Sequence, residues 1–370
     1  MNVPFLDLTW QHAQIAPAIT NRFNRVFENA AFTLGEDVKT FEDNFARYIG
    51  IQHVVGVDNG TDALAIAYHA LGLRAGDEII TIPTTFIATI SPAIQAGIKP
   101  VFVDIDPATR TFDFGKLEAA LTPRTKAIVP VHLAGDMPNM DKVTAFATAH
   151  NLMVIEDAAQ AHGARFKGAR AGSFGLLSTF SFYPGKNLGA YGQAGAIATN
   201  DPEMDSRLRK LRSHGEQKKY QHEMIGWNSR LDTLQAIVLD EKLKKLDEWN
   251  AMRVGIAKRY DEALADLPLG LPPRNENVDH VYHLYVVELK KGDRDDFIAQ
   301  LAAQGISTGI HYPLPVHLIA PVSAVLGTHG GDYPAAESYC SRIVSLPLFP
   351  GMSQTQIDSV IASTRTYFHA

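Results

Sequence analysis

Three short segments of this chain bring together residue types that could do chemistry. In DNGTDAL, Asp58 to Leu64, an apolar run ends in Gly60, Thr61 and Asp62 and then turns into a helical pattern. Such a junction aims the unpaired N–H groups and positive dipole end of a helix at an anion, although Thr61 or Asp62 could equally serve as an ordinary helix cap. In VIEDAAQAHGA, Asp157 stands at the carboxyl end of a fully apolar run, the edge at which open α/β sheets bind ligands. A carboxylate there calls for a cationic partner, unless it merely caps the following turn. In STFSFYPGKNLGAYGQAGA, Lys186 lies in a glycine-rich turn between aromatic residues. Most lysines are solvated, but one desolvated in this way loses charge and becomes a nucleophile toward carbonyls.

An anion cradle, a carboxylate and a nucleophilic lysine are together what pyridoxal 5′-phosphate requires. The cradle seats its phosphate, the carboxylate keeps its pyridine nitrogen protonated, and the lysine forms a Schiff base with it.

The elements that must position these residues are legible in the apolar pattern. HVVGV from His53, EIITI from Glu78, PVFVDI from Pro100, KAIVPV from Lys126, LMVIED from Leu152, STFSF from Ser178 and GAIAT from Gly195 read as seven buried strands. Between them Thr61–Leu71, Phe86–Ala96, Phe114–Leu121 and Met140–His150 carry apolar residues at helical spacing, as the crossovers of a mostly parallel sheet require. After Thr199 the pattern changes to helices, Pro202–Ser213 and a long one from about Arg230 to Leu264 that reads as a connector. A smaller α+β region follows, with a strand in YHLYVVEL and a helix from Arg294 to Gln304 ended by Gly305. The expected division is a large domain, 1–245, with an N-terminal arm, and a small domain, 246–370.

Composition narrows the partners. Over 370 residues, 34 Lys and Arg stand against 40 Asp and Glu, which leaves no basic excess for nucleic acid or an anionic membrane. Cys340 is the single cysteine, so neither an intrachain disulfide nor a cysteine zinc site can form, and a reducing cytoplasm is the expected compartment. No apolar run approaches the roughly 18 residues of a membrane span, and MNVPFLDLTWQH has no signal-peptide pattern; a soluble, unprocessed protein is expected.

The order of phosphate turn, Asp and Lys resembles the fold-type-I aminotransferases. FLDL, FTLGEDVKTFE, GTDAL, IPTTFIAT, PVFVDID, EDAAQAHGA, FSFYPGKNLGAYG, GWNSRLDTLQA, GIHYPLPVHL and SLPLFPG, spread from Phe5 to Gly351, together resemble the nucleotide-sugar aminotransferases of the DegT/StrS type. The resemblance implies roles residue by residue. Lys186 would be the Schiff-base lysine and the proton-transferring base, and Asp157 the partner of the pyridinium nitrogen. Gln160 would donate to the cofactor's phenolic oxygen, and Phe86 would stack on the ring. The phosphate would be held by Gly60, Thr61 and Ser181 and, across a homodimer interface, by Asn228 and Arg230. Tyr183, Asn187, His311, Tyr312 and His317 would approach the substrate, whereas His162 has no proton to move and is expected to be structural. Where many relatives read Gly-Asp-Gly-Gly, this chain has Gly192, Gln193, Ala194 and Gly195, and Ala194 must avoid a positive φ.

The implied activity is transfer of an amino group from L-glutamate to the keto group of a nucleoside-diphosphate sugar, by analogy a dTDP-3-keto-6-deoxyhexose. A C4-keto sugar, a UDP sugar and a non-catalytic regulator that keeps the cofactor fold are the alternatives. Sugar dehydratases of the family lack the lysine, and a cysteine desulfurase would need a mobile thiol, whereas Cys340 lies in a helical segment as a small core residue.

Overall fold

The computed structural model describes residues 2–369. All seven apolar runs form strands: β1 His53–Val57, β2 Glu78–Thr81, β3 Lys99–Phe102, β4 Thr125–Ile128, β5 Met153–Asp157, β6 Leu177–Ser181 and β7 Gly195–Thr199. They make one sheet in the order β1-β7-β6-β5-β4-β2-β3. Neighbours pair in parallel except at β7, which runs antiparallel to both β1 and β6. Successive side chains point to opposite faces, so Val54, Ile80, Ile128, Val154 and Phe180 enter one core while Val55, Ile79, Ala127, Ile155 and Leu177 enter another. Burial on both faces is why the strands read as continuous apolar runs.

The first core is closed by α2 (Glu36–Ile49), α5 (Met140–Ala149) and α7 (Thr233–Leu243), the second by α3 (Gly60–Ala70) and α6 (Pro202–Leu211). The helix α1 (Thr9–Asn29) packs its Ile15 and Ile19 against Val238 of α7 and Trp249 of α8 (Leu246–Leu264). Two expected crossover helices are much shorter. Over Phe86–Ala96 a 3₁₀ turn precedes α4 (Ser91–Gln95), because Pro92 lacks an N–H and is tolerated only in a helix's first turn. Phe114–Leu121 forms two 3₁₀ turns, Phe114–Lys116 and Glu118–Ala120, with Gly115 in the first. The long helix expected from Arg230 to Leu264 is two helices, α7 and α8, interrupted at Lys244 and Lys245, where neither Gly nor Pro marks the break.

The C-terminal region has its own core. A three-stranded antiparallel sheet of Leu269–Gly270, β8 (Tyr285–Leu289) and β9 (Ile343–Leu346) is packed by α8, α9 (Arg294–Ala303) and α11 (Gln354–His369), with Tyr260, Val287, Phe297, Val344 and Val360 in its interior. The helix α10 (Pro334–Arg342) buries Cys340. Val3 also lies in this smaller core: its N–H donates to Gly305 and its carbonyl accepts from Ser307. Within the N-terminal arm Val3 therefore packs with the C-terminal region, because backbone pairing buries its apolar side chain there, while Phe5 packs against the first core of the large sheet.

Candidate active site

The register of β7 assembles the anion cradle. Because β7 is antiparallel, its first residue, Gly195, lies beside Val57 at the end of β1 and beside Ser181 at the end of β6. The cradle is closely packed: a Cβ on Gly195 would stand 2.4 Å from the Asn59 carbonyl carbon, and one on Gly60 would stand 2.6 Å from the Ser181 Cβ. The cap of α3 is Asn59, whose side chain accepts from the Asp62 N–H at 2.8 Å, not Thr61 or Asp62. The N–H groups of Gly60 and Thr61, in the first helical turn, have no acceptor one turn back and border a cavity of about 440 Å³. That volume suits a cofactor and part of a substrate.

Asp157 ends β5 at the floor of this cavity. Its Oδ2 accepts from Thr89 Oγ1 at 2.7 Å, and Thr89 Oγ1 lies 2.6 Å from Thr85 Oγ1. Since the Thr89 hydroxyl has one proton and gives it to Asp157, the Thr85 proton completes the relay. The preceding carboxylate, Glu156, points to the other face of the sheet, where it accepts from His132 Nε2 and from the N–H groups of Gly172, Phe174 and Gly175. Strand alternation thus separates two adjacent acids into one that faces the cavity and one that holds a buried loop.

Lys186 follows β6 in a turn closed by its own N–H on the Tyr183 carbonyl at 2.8 Å. Its side chain borders the cavity, and burial lowers its pKa to about 8 against an opposing pull from Asp157. A neutral amine is therefore accessible near physiological pH.

Phe86, Gln160, Tyr183, His311 and Tyr312 line the same cavity. Phe86 is 48% exposed, which excludes the alternative of a core phenylalanine, and its ring lies 5.1 Å from that of Tyr312. Gln160 accepts from the Ala134 N–H at 2.7 Å and donates to the Tyr312 hydroxyl at 3.1 Å, so one amide proton is left for a ligand. The Tyr312 hydroxyl is pushed up to about 12, chiefly by burial and then by Asp157, and so remains a donor. His311 stacks on Phe5 and pairs with Ser345 Oγ at 2.9 Å; burial, then Lys186, lowers its pKa to about 4.

Two expected substrate contacts require correction. Asn187 is buried behind the cavity, where its amide nitrogen donates to Asn250 Oδ1 and the Val281 carbonyl and its oxygen pairs with His283 Nδ1. A side chain so fully bonded is an interior strut. His317 is fully buried as well, 3.0 Å from Glu337 and against the rings of Phe102 and Tyr333, and it does not reach the cavity.

Asn228 is exposed and Arg230 half-buried, and neither lines the cavity of its own chain. The segment is nevertheless close to the cradle, because Ser229 between them donates to Asp58 at 2.5 Å. Ala194 has no positive φ and accepts from the Phe182 N–H, while Gln193 stands at the rim of the cavity. His162 is buried against Phe180 and Phe182, and its pKa falls to about 3 through burial and the nearby Lys186.

Sequence reasoning did not single out Phe5, Asn59, Thr85, Thr89, Arg253 or His283, all of which line the cavity. Thr85 and Thr89 are within the quoted IPTTFIAT and Phe5 within FLDL, but nothing in their spacing sets them apart. Arg253 and His283 come from the C-terminal region, and only folding brings them to the site.

A mostly parallel sheet with an anion cradle, an acid and a lysine of lowered pKa around one cavity defines an aminotransferase of the α/β type. Residues 13–365 match the DegT/DnrJ/EryC1/StrS aminotransferase family, and the chain belongs to it. It is 44% identical to the "Pleiotropic regulatory protein" of Geobacillus stearothermophilus, over 100% of this chain and 99% of that one. It is 42% identical to the dTDP-3-amino-3,4,6-trideoxy-alpha-D-glucose transaminase of Streptomyces venezuelae, over 99% of this chain and 96% of that one. Among solved structures, that of S. venezuelae DesV in complex with a ketimine intermediate superposes with a TM-score of 0.96 at 42% identity, covering 100% of this chain and 99% of that one. The close-packed cradle, the cavity-facing acid and the partly neutral lysine fit pyridoxal 5′-phosphate as cofactor.

Proposed function

We propose that this protein is a pyridoxal-phosphate-dependent transaminase of nucleotide sugars, taking the amino group of L-glutamate and giving it to the keto group of a dTDP-3-keto-6-deoxyhexose. The observation that carries the reading is that Lys186, with its pKa lowered to about 8, and Asp157, held by Thr89, border one cavity beside an anion cradle. The transaminase name of the Streptomyces relative supports the choice of substrate.

Pyridoxal phosphate, when bound, carries the amino group between the two substrates and withdraws electrons from the reacting carbon. The first-turn N–H groups of Gly60 and Thr61 and the Ser181 hydroxyl would hold its phosphate. Asp157 would face the ring nitrogen and keep it protonated, and the Thr85–Thr89 relay keeps the Asp157 carboxyl oriented. Phe86 would cover a face of the ring and exclude water, while Gln160 would donate its remaining amide proton to the phenolic oxygen. The Lys186 amine, once free, moves the proton of the reacting carbon, which requires the neutral form. His311, Tyr312 and Tyr183 orient the sugar at the mouth.

The remaining parts of this reading are a homodimer in which Asn228 and Arg230 complete the partner's phosphate site, a large domain of residues 1–245 beside a small one of 246–370, and a cytoplasmic location. Among the described residues no helix is long and apolar enough to cross a membrane. The name of the Geobacillus relative favours a second reading, a regulator that retains the cofactor fold. The full set of Lys186, Asp157, Gln160 and Ser181 around one cavity weighs for catalysis. Incubation with glutamate and a panel of 3-keto and 4-keto dTDP and UDP sugars, followed by identification of the amino sugar, tests the proposal. Amination of a C4 ketone or a UDP sugar alone would correct the substrate. No product from any sugar would favour the regulator.

A further inference from the structure

The anion cradle and the acid stand on strands that do not touch. The cradle follows β1 and the acid ends β5, and in the sheet β7 and β6 lie between them. No ladder bond therefore joins the two, yet in the reading above a single ligand must meet both at once. A displacement of one against the other would leave the phosphate seated and the ring nitrogen out of line with Asp157. Something other than the sheet must hold them in register.

Tyr68 makes such a link. On α3, whose first turn forms the cradle, Thr61, Leu64 and Tyr68 follow at intervals of three and four and so share one face. Thr61 and Leu64 border the cavity, whereas Tyr68 is 1% exposed and lies behind its wall. The Tyr68 hydroxyl donates to the Thr89 carbonyl at 2.8 Å. Thr89 closes the 3₁₀ turn Ile87–Thr89, its N–H donates to the Phe86 carbonyl, and its hydroxyl donates to Asp157 Oδ2 at 2.7 Å. One chain of contacts thus runs from the cradle helix through Tyr68 and Thr89 to the acid, and the turn it fixes also carries Phe86. Burial, and then the charge of Asp157, hold the Tyr68 pKa far above the ordinary tyrosine value, so the hydroxyl stays a donor.

We infer that Tyr68 is a positioning residue of this site: through the Thr89 carbonyl it fixes the turn that aims the Thr89 hydroxyl at Asp157, and so sets the acid in register with the cradle on its own helix. The inference rests on the transaminase reading and adds to it the group that couples the two ends of the cofactor site. Tyr68 touches neither substrate nor cofactor and acts only through Thr89.

Because the role passes through Thr89, it can be separated from simple packing. Tyr68→Phe removes one hydroxyl and keeps the ring. Its kcat is expected to fall about fivefold, the worth of one buried hydrogen bond, with the KM values for glutamate and sugar within about twofold of wild type. The visible absorbance of the bound cofactor, followed against pH without substrate, gives a readout independent of turnover. Its midpoint is expected to rise by about half a pH unit, since a less firmly protonated ring nitrogen leaves the nitrogen shared with Lys186 more basic. Thr89→Val keeps the carbonyl that Tyr68 holds but lacks the hydroxyl. In that background Tyr68→Phe should shift neither kcat nor the absorbance midpoint further, while lowering the thermal midpoint as much as it does in the wild-type background.

Independent, additive losses in the double variant, or an unmoved absorbance midpoint in Tyr68→Phe, would reduce Tyr68 to a core side chain of α3 and overturn the inference. If Tyr68→Phe does not fold, Tyr68→Leu takes its place in the same comparison, and failure of both would equally make Tyr68 a core strut. A wild-type holoenzyme that aminates no sugar overturns the transaminase reading, and the absorbance midpoint, which needs only the cofactor, then decides this inference by itself. A wild-type chain that takes up no pyridoxal phosphate overturns both.

Discussion

Thr89 Oγ1 donates to Asp157 Oδ2 at 2.7 Å, and both side chains are buried at the floor of the cavity. The contact fixes one carboxylate oxygen, while the other accepts from the Ala159 N–H at 3.2 Å. Asp157→Asn is expected to retain pyridoxal phosphate but slow turnover at least about 100-fold, about 3 kcal/mol of barrier, since a neutral amide cannot hold the pyridinium proton. Thr89→Val removes only the orienting donor, and about a tenfold loss is expected. Near-normal turnover in Asp157→Asn would remove Asp157 from the chemistry.

The lowered pKa of Lys186 has a kinetic signature. Capture of pyridoxal phosphate by the apoprotein requires the neutral amine, whose fraction rises about tenfold per pH unit below the pKa. The capture rate is therefore expected to climb with pH and level off above about 8, where an ordinary lysine would keep climbing beyond pH 10. Stopped-flow absorbance across this range, with borohydride reduction and peptide mapping to locate the label, checks both the pKa and the residue. Label on another lysine would refute the assignment.

His311 and His317 are six residues apart on one loop and have opposite surroundings. His311 borders the cavity, whereas His317 is buried on Glu337, Phe102 and Tyr333. His311→Ala is expected to raise the KM for the nucleotide sugar about tenfold with little change in thermal midpoint. His317→Ala should spare the KM but cost about 2 kcal/mol of stability, from the lost packing and the lost hydrogen bond to Glu337. Steady-state kinetics and calorimetry on the two variants separate the roles.

The contrast between these histidines shows where sequence stops being informative. The seven strands were legible because burial on both faces leaves continuous apolar runs, and Asp157, Gly60 and Lys186 stood out because each lies at or shortly beyond the carboxyl end of such a run. Thr89 and Arg253 reach the cavity through tertiary packing, and no local pattern distinguishes them from other threonines or helical arginines. Asn187 follows the lysine in sequence, but the turn directs it into the interior, toward Asn250 and Val281. The break between α7 and α8 carries no glycine or proline and was invisible for that reason.

Sharing of sites between subunits is the remaining prediction. Asn228 lies far from Lys186 in sequence, and that distance alone would suggest a partner's residue. The bond from Ser229 to Asp58 weakens that argument, since it holds the segment beside its own chain's cradle. Asn228 is nevertheless exposed and outside its own cavity, as a residue that faces a two-fold neighbour would be. If each phosphate site is completed by the other chain, a mixed dimer of Lys186→Ala and Asn228→Ala chains has one intact site and one doubly damaged site. With excess Lys186→Ala chains and limiting cofactor, the mixture is expected to recover activity above that of either variant alone. Assembly would then raise cofactor affinity, because binding and dimerisation draw on the same contacts. No recovery, in a mixture shown by mass spectrometry to have exchanged subunits, would leave Asn228 in its own chain's site or outside the site altogether.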